Sequence, residues 1–251
     1  MNKFNLPTNW NGVSIRQFNE LREIEDSASP FMKQVLIFSI LADIDPDDKL
    51  IENMDIVELS NMLSHFNFLM EVPSDKIKTK LNNFKLIDLN NLKLGEFIDL
   101  DYYLSQDPIK NLAKIASILY RNYDYDIFNN IKLEDYDNIN LDDRNVYFES
   151  ISINDTFGLI NHISEFKLNV YNNYANLFNP ILNEDDLDPE DLDDPITQKE
   201  IEKEKSQAKW SWEFILHNLS KGDVTKYNDI LNLPLIFILN QLSFKKDFAL
   251  E

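Results

Sequence analysis

Apolar residues recur at Ile15, Phe18, Leu21 and Ile24, a three-residue step that lays them along one side of a helix. Ser14 and Gln17 stand three apart at the head of that stripe. This is the pairing of a capping box, and it predicts a helix running to about Glu25. Pro30 fits a first helical position. The helix predicted behind it, to about Ala42, is apolar nearly all round (Phe31, Val35, Leu36, Ile37, Phe38, Ile40, Leu41), so it is expected to be central and buried. Asp55 with Glu58 forms a second capping box. It opens a predicted helix through about Met70 that presents Val57, Leu59, Met62, Leu63, Phe66 and Leu69.

The period changes at 76–88. Ile77, Thr79 and Leu81 alternate with Lys76, Lys78 and Lys80, Asn82-Asn83 can turn the chain, and Phe84, Leu86 and Leu89 follow. This predicts a β-hairpin, the one strand signal in the chain. Helices resume at about Leu94–Leu104, and Asp107 is expected to cap another over Pro108–Tyr120. The stretch 122–141, rich in Asn, Asp and Tyr, is expected to be an ordered loop. A short helix is expected over Asp142–Ser150. A long one, capped by Asn154 or Asp155, should reach about Phe178 with Phe157, Ile160, Ile163, Phe166, Val170 and Tyr174 as its stripe. Pro195 starts a charged helix to about Ser220. Gly222 fits a stop, Asp223 or Thr225 a restart, and Pro234 the opening of a last helix.

Charge alters this picture near the C-terminus. Residues 184–194 carry eight carboxylates and no base, whereas residues 206–251 balance five acids with five bases. Like charges extend a chain and Pro189 stiffens it, so a tether is expected there. The fold class read from the sequence is mainly α, with a small β-hairpin at about 76–88. The expected division is a helical body at 1–182, an acidic flexible linker at 183–197 and a helical C-terminal module at 198–251. The net charge of −20 repels phosphate backbones and anionic lipid, so neither nucleic acid nor membrane is an expected partner. With no cysteine there is no disulfide and no thiolate chemistry. The N-terminal residues show no secretory signal, and the longest apolar runs, Val35–Ala42 and Leu233–Leu239, fall far below the ~20 residues that cross a bilayer.

Candidate chemistry is sparse. His65, His162 and His217 each fall in a different predicted helix with no second His four residues away, so a metal helix is not formed. Asp99 and Asp101 lie beside Phe97, Tyr102 and Tyr103 and could serve a metal-dependent hydrolase. On a helix, however, residues two apart point to nearly opposite sides. Asp186, Asp188 and Glu190 have calcium-loop spacing but lack its Gly and its closing Glu. Lys76, Lys78, Lys80 and Lys85 are the one basic cluster, suited to guarding a hairpin edge or meeting acids of the same chain. Gly-rich phosphate loops and a nucleophile elbow are absent. The chain is therefore expected to be no enzyme, with no cofactor and no metal site.

The apolar density of the C-terminal region points instead to protein binding. Trp210, Trp212, Phe214, Leu216, Tyr227, Leu235, Phe237 and Phe244 are the candidate partner-binding residues, because aromatic side chains make good anchors. The competing role for the same residues is a mini-core, or docking onto the body.

Two stretches carry a resemblance. One is Leu6-Pro7-Thr8-Asn9-Trp10 with the Ser14-Ile15-Arg16-Gln17-Phe18 helix start and the later Gly95-Glu96-Phe97-Ile98-Asp99-Leu100. The other is Trp210-Ser211-Trp212 with Leu219-Ser220-Lys221-Gly222-Asp223-Val224-Thr225-Lys226-Tyr227 and Leu233-Pro234-Leu235. In these the chain resembles small accessory proteins of tailed bacteriophages, the tail assembly chaperones and virion-assembly proteins. The resemblance implies a non-catalytic protein that holds viral structural proteins until assembly, in the host cytoplasm. The alternative it leaves is a structural component of the virion, such as a connector, baseplate or packaged protein.

Overall fold

The computed structural model describes residues 4, 6–52, 56–178 and 211–248. Among these the chain is mainly α-helical, with one small antiparallel sheet. It gathers into two compact units, Met1–Ile87 with Tyr103–His162 and Asp88–Tyr102 with Ile163–Glu251. This division follows different lines from 1–182, 183–197 and 198–251, because a charge run marks repulsion along the chain and not which apolar faces meet. The acidic linker expected at 183–197 and the Asp55 cap lie outside the described residues.

In the first unit the Ile15–Arg22 helix opens as expected. Ser14 Oγ accepts from the Gln17 amide (3.2 Å) and Gln17 Oε1 accepts from the Ser14 amide (3.0 Å). The Gln17 side chain also donates to the Ile40 carbonyl at 2.8 Å, which ties this helix to the next, Pro30–Ala42. That second helix buries Val35, Phe38 and Leu41 but leaves Phe31 and Met32 exposed. Burial on all sides was expected; its neighbours Ile15–Arg22 and Ile56–Leu63 cover only part of it. The helix predicted through Met70 tightens to a 3-10 helix at Ser64, and Phe66 leaves helical dihedrals. Ser64 Oγ donates back to the Asn61 carbonyl at 2.6 Å, a local bond that competes with the helical ladder.

The expected hairpin forms from Lys80–Leu81 (β1) and Phe84–Leu86 (β2), with Asn82 left-handed (φ 50°) in the two-residue turn. It is half of a four-stranded sheet in the order β1-β2-β3-β4, completed by Tyr120–Tyr125 (β3) and Ile131–Leu133 (β4). The loop expected over 122–141 is therefore corrected: much of it is a second hairpin. Its Asn and Asp disguise a strand in which Tyr120, Tyr123 and Tyr125 are good β formers. The Leu112–Leu119 helix packs on Leu141–Glu149 and runs straight into β3, since Tyr120 turns extended. Asp107 caps only the turn before that helix, accepting from the Ile109 and Lys110 amides at 3.0 Å each.

Two arginines are buried, Arg121 within β3 and Arg144 on the Leu141–Glu149 helix. Arg121 donates to the Ile118 and Ser117 carbonyls, where the negative end of the Leu112–Leu119 helix favours a cation. Arg144 pairs with Glu134 at 2.5 Å and donates to the Tyr120 carbonyl at 3.2 Å. The long helix expected up to Phe178 is broken into Ile153–Thr156 and Leu159–Asn173. Gly158 explains the break: a Cβ there would stand 2.1 Å from the Asp75 carbonyl oxygen, so the backbones meet where only glycine fits.

The second unit joins Asp88–Tyr102 to helices Ser211–Ser220, Tyr227–Leu231 and Leu235–Asp247 and to Ile163 onward. The Leu235 amide donates to the Leu92 carbonyl (2.8 Å) and the Leu94 amide to the Leu233 carbonyl (2.9 Å). Around this bridge Leu92, Leu94, Phe97, Leu100, Ile163, Leu235, Ile238 and Leu239 are buried. Gly222 (φ 78°) follows the end of Ser211–Ser220, as expected.

Candidate functional site

The candidate residues of the C-terminal helices separate into two sets. Trp212, Leu216 and Leu235 are buried, and Tyr227 is half-buried. Phe214, Phe237 and Phe244 are exposed, as is Phe248, whose ring lies 4.8 Å from that of Phe244. Trp210 lies outside the described residues. The buried members have structural work to do. The Trp212 ring meets Phe97 and Phe178 edge-on at 5.6 Å each.

Asp101, one of the two carboxylates considered for hydrolysis, is engaged on both oxygens. Its Oδ2 accepts from Trp212 Nε1 (2.9 Å) and from the Tyr171 hydroxyl (3.3 Å), and Lys167 Nζ lies 2.6 Å from Oδ1. Burial first, and then the Asp101 charge, pushes the Tyr171 hydroxyl well above its usual range, so it stays a donor. This cluster suits anchoring the Trp212 helix better than ligating a metal. Among the described residues no three His, Asp or Glu side chains converge as a metal site would need. The Lys cluster is dispersed: Lys78 pairs with Asp155 at 2.6 Å, Lys80 lies over the Tyr123 ring, and Lys85 faces Lys80 across the hairpin.

The first unit contains a feature the sequence did not announce. An open apolar groove of about 440 Å³ is bounded by Trp10, by Phe18, Leu21 and Ile24, by Ile37 and Leu69, and by Val72, Pro73 and Phe157. Its floor is aromatic. Trp10 stands edge-on to Phe18 (5.3 Å) and Phe68 (5.2 Å), and Phe18 to Phe157 (6.0 Å). Trp10 Nε1 is satisfied by the Glu71 carbonyl at 3.0 Å, so the ring is fixed in place. Arg22, Lys33 and Glu71 supply the charge of the lining. Arg22 pairs with Asp107 (3.1 Å) and Lys33 with Asp26 (3.4 Å), both exposed pairs of little strength. Val72 is 75% exposed at the border, and Met70, two residues before it, is exposed too. The groove falls in the 300–1,000 Å³ range of ~drug-sized ligand sites and has the composition of one. The signal for it was the stripe Phe18, Leu21 and Ile24. Its spacing predicts a buried face, and the structure leaves all three half-exposed.

Comparison with protein-family models, with curated proteins and with solved structures returns no match. Among the described residues no helix is long and apolar enough to cross a membrane.

Proposed function

We propose that this protein is a non-catalytic binding protein that holds an apolar segment of a protein client in the groove of its first unit. In the setting implied by its resemblance to tail assembly chaperones, the client is a viral structural protein held in the host cytoplasm before assembly. The observation that supports the reading is the groove itself. It is aromatic-floored, open to solvent and mostly apolar, with Arg22, Lys33 and Glu71 as its charged members, which suits apolar side chains better than chemistry on a polar substrate.

The test is recovery of the client by tagged protein from infected lysate, read by mass spectrometry. Wild type is compared with Val72→Glu, which puts a charge at the border of the groove on an exposed residue. The expected result is one dominant virion protein with wild type and at least ~10-fold less with Val72→Glu at unchanged thermal midpoint, a loss equivalent to ~1.4 kcal/mol. Equal recovery by both would overturn the groove as the site. A Phe214→Ser and Phe237→Ser double variant run beside it tests the C-terminal residues. Loss confined to that variant would move the client to the exposed phenylalanines of the second unit.

A further inference from the structure

The tip of the β3–β4 hairpin has the opposite character from an ordinary turn. Hairpin turns are built from Gly, Asn and Asp because these tolerate the backbone and the water. Here Ile127 and Phe128 occupy the tip, 92% and 78% exposed. The loop beneath them is fully built. Asp126 Oδ1 accepts from the Phe128 and Asn130 amides (2.8 Å each), and Asn130 Nδ2 donates to Asp126 Oδ2 (3.0 Å). The Asp126 amide donates to the Asn130 carbonyl (2.9 Å), the Asn129 amide to the Asp126 carbonyl (3.0 Å), and Asn129 takes the left-handed conformation (φ 62°). Two large apolar side chains are thus carried on a backbone whose local bonds are already made. Little further ordering is needed when they are covered.

Charge points to what covers them. Asp124 and Asp126 flank the tip, with Lys132 facing Asp124 across the ladder. An apolar tip bordered by carboxylates fits an apolar cleft bordered by cations. Among the described residues the groove of the first unit has that combination, with Arg22 and Lys33 in its lining. Their present partners, Asp107 and Asp26, hold them in exposed pairs that another carboxylate can replace at little cost. Glu71 is the one opposing charge of the lining; its main-chain carbonyl holds Trp10, and its carboxylate stands against the two cations. Since every copy carries both a tip and a groove, the matching surfaces are present on the same chain in equal number.

We propose that this protein associates with itself, the Ile127–Phe128 tip of one copy seating in the Trp10–Phe18 groove of a second. The inference uses the groove assigned above to a client but needs no client to form. Self-association then covers the groove until a client displaces the neighbour's tip.

The experiment is sedimentation equilibrium of the purified full-length chain alone, from ~1 µM to ~1 mM. The expected result is association that rises with concentration. Phe128→Ser and Val72→Glu should each weaken it at least ~10-fold, with Ile127→Ser and Lys33→Glu as second variants on either side. The two defects lie on different halves of the contact. An equimolar mixture of Phe128→Ser and Val72→Glu chains should therefore recover a one-to-one dimer that neither forms alone. A wild-type chain that stays monomeric throughout would overturn the proposal. So would association untouched by either substitution, or a mixture that fails to recover. If the tip substitutions leave sedimentation unchanged but abolish client recovery, the tip belongs to a client and self-association is overturned. Sedimentation that behaves as expected beside undiminished client recovery by Val72→Glu would leave the self-contact standing and remove the client reading.

Discussion

Asp101 joins two distant stretches of chain: it accepts hydrogen bonds from the indole of Trp212 and the hydroxyl of Tyr171 and forms an ion pair with the ammonium of Lys167. A carboxylate is the group that serves all three, because one oxygen has lone pairs for both hydrogen bonds while the charge answers the ammonium. Asp101→Asn keeps the shape but replaces an acceptor by an NH2 facing donors, and removes the charge opposite Lys167. We expect a loss of about 2 kcal/mol, the cost of leaving a largely buried donor unsatisfied, read as a lower urea midpoint at unchanged slope. Trp212 emission should report the same transition. A variant as stable as wild type would show that the three contacts contribute nothing net. The same substitution serves the hydrolase reading of Asp99 and Asp101, since an activity lost with no change in midpoint would favour chemistry over anchoring.

At the scale of the element, the β3–β4 turn has a calculable response to acid. The side-chain amide of Asn130, then its backbone amide, and more weakly that of Phe128, hold the Asp126 carboxyl below its usual range. A depressed carboxyl stabilises the folded turn fully above the ordinary Asp value of about 3.9, and that contribution is lost as pH falls through the lowered value. The turn should therefore be unchanged between about pH 7 and pH 5 and loosen only in stronger acid. Amide exchange at Phe128 and Asn130 measures it; Asp126→Asn should keep the turn and abolish the acid response. Protection that falls at pH 6 would contradict the assignment. What the sequence disclosed follows the same physics. The Ser14–Gln17 box, the Pro30 start, the Asn82-Asn83 turn and the Gly222 stop are local devices, each set by a few adjacent residues, and each appears in the structure. The break at Gly158 was not legible, because it depends on Asp75, more than eighty residues away in the chain. Nor was β3, whose Asn and Asp oppose a strand that pairing with β2 and β4 supplies. The groove was hidden for a related reason: a half-buried stripe and a buried one have the same period.

For the molecule as a whole, the second unit is discontinuous, since Asp88–Tyr102 packs with segments that begin only at Ile163. A chain ending at Lys205 keeps Leu92, Leu94, Phe97 and Leu100 but loses the Ser211–Ser220 and Leu235–Asp247 helices of the same unit. We expect that truncation to bind more of a dye for apolar surface than full-length protein does, and to lose amide protection over residues 89–100 that full-length protein keeps. Retained protection would show that the remaining part of the unit suffices. The discontinuity also sets a timetable for the ribosome. The Leu92–Leu100 segment leaves the exit tunnel long before the Leu235–Asp247 helix is made, an interval on the order of ten seconds at ordinary elongation rates. For that time its leucines lack Leu235, Ile238 and Leu239 of the same unit, and Phe97 lacks Trp212. A nascent-chain chaperone, or slow-folding aggregation when synthesis is fast, is the expected companion of this arrangement of the chain.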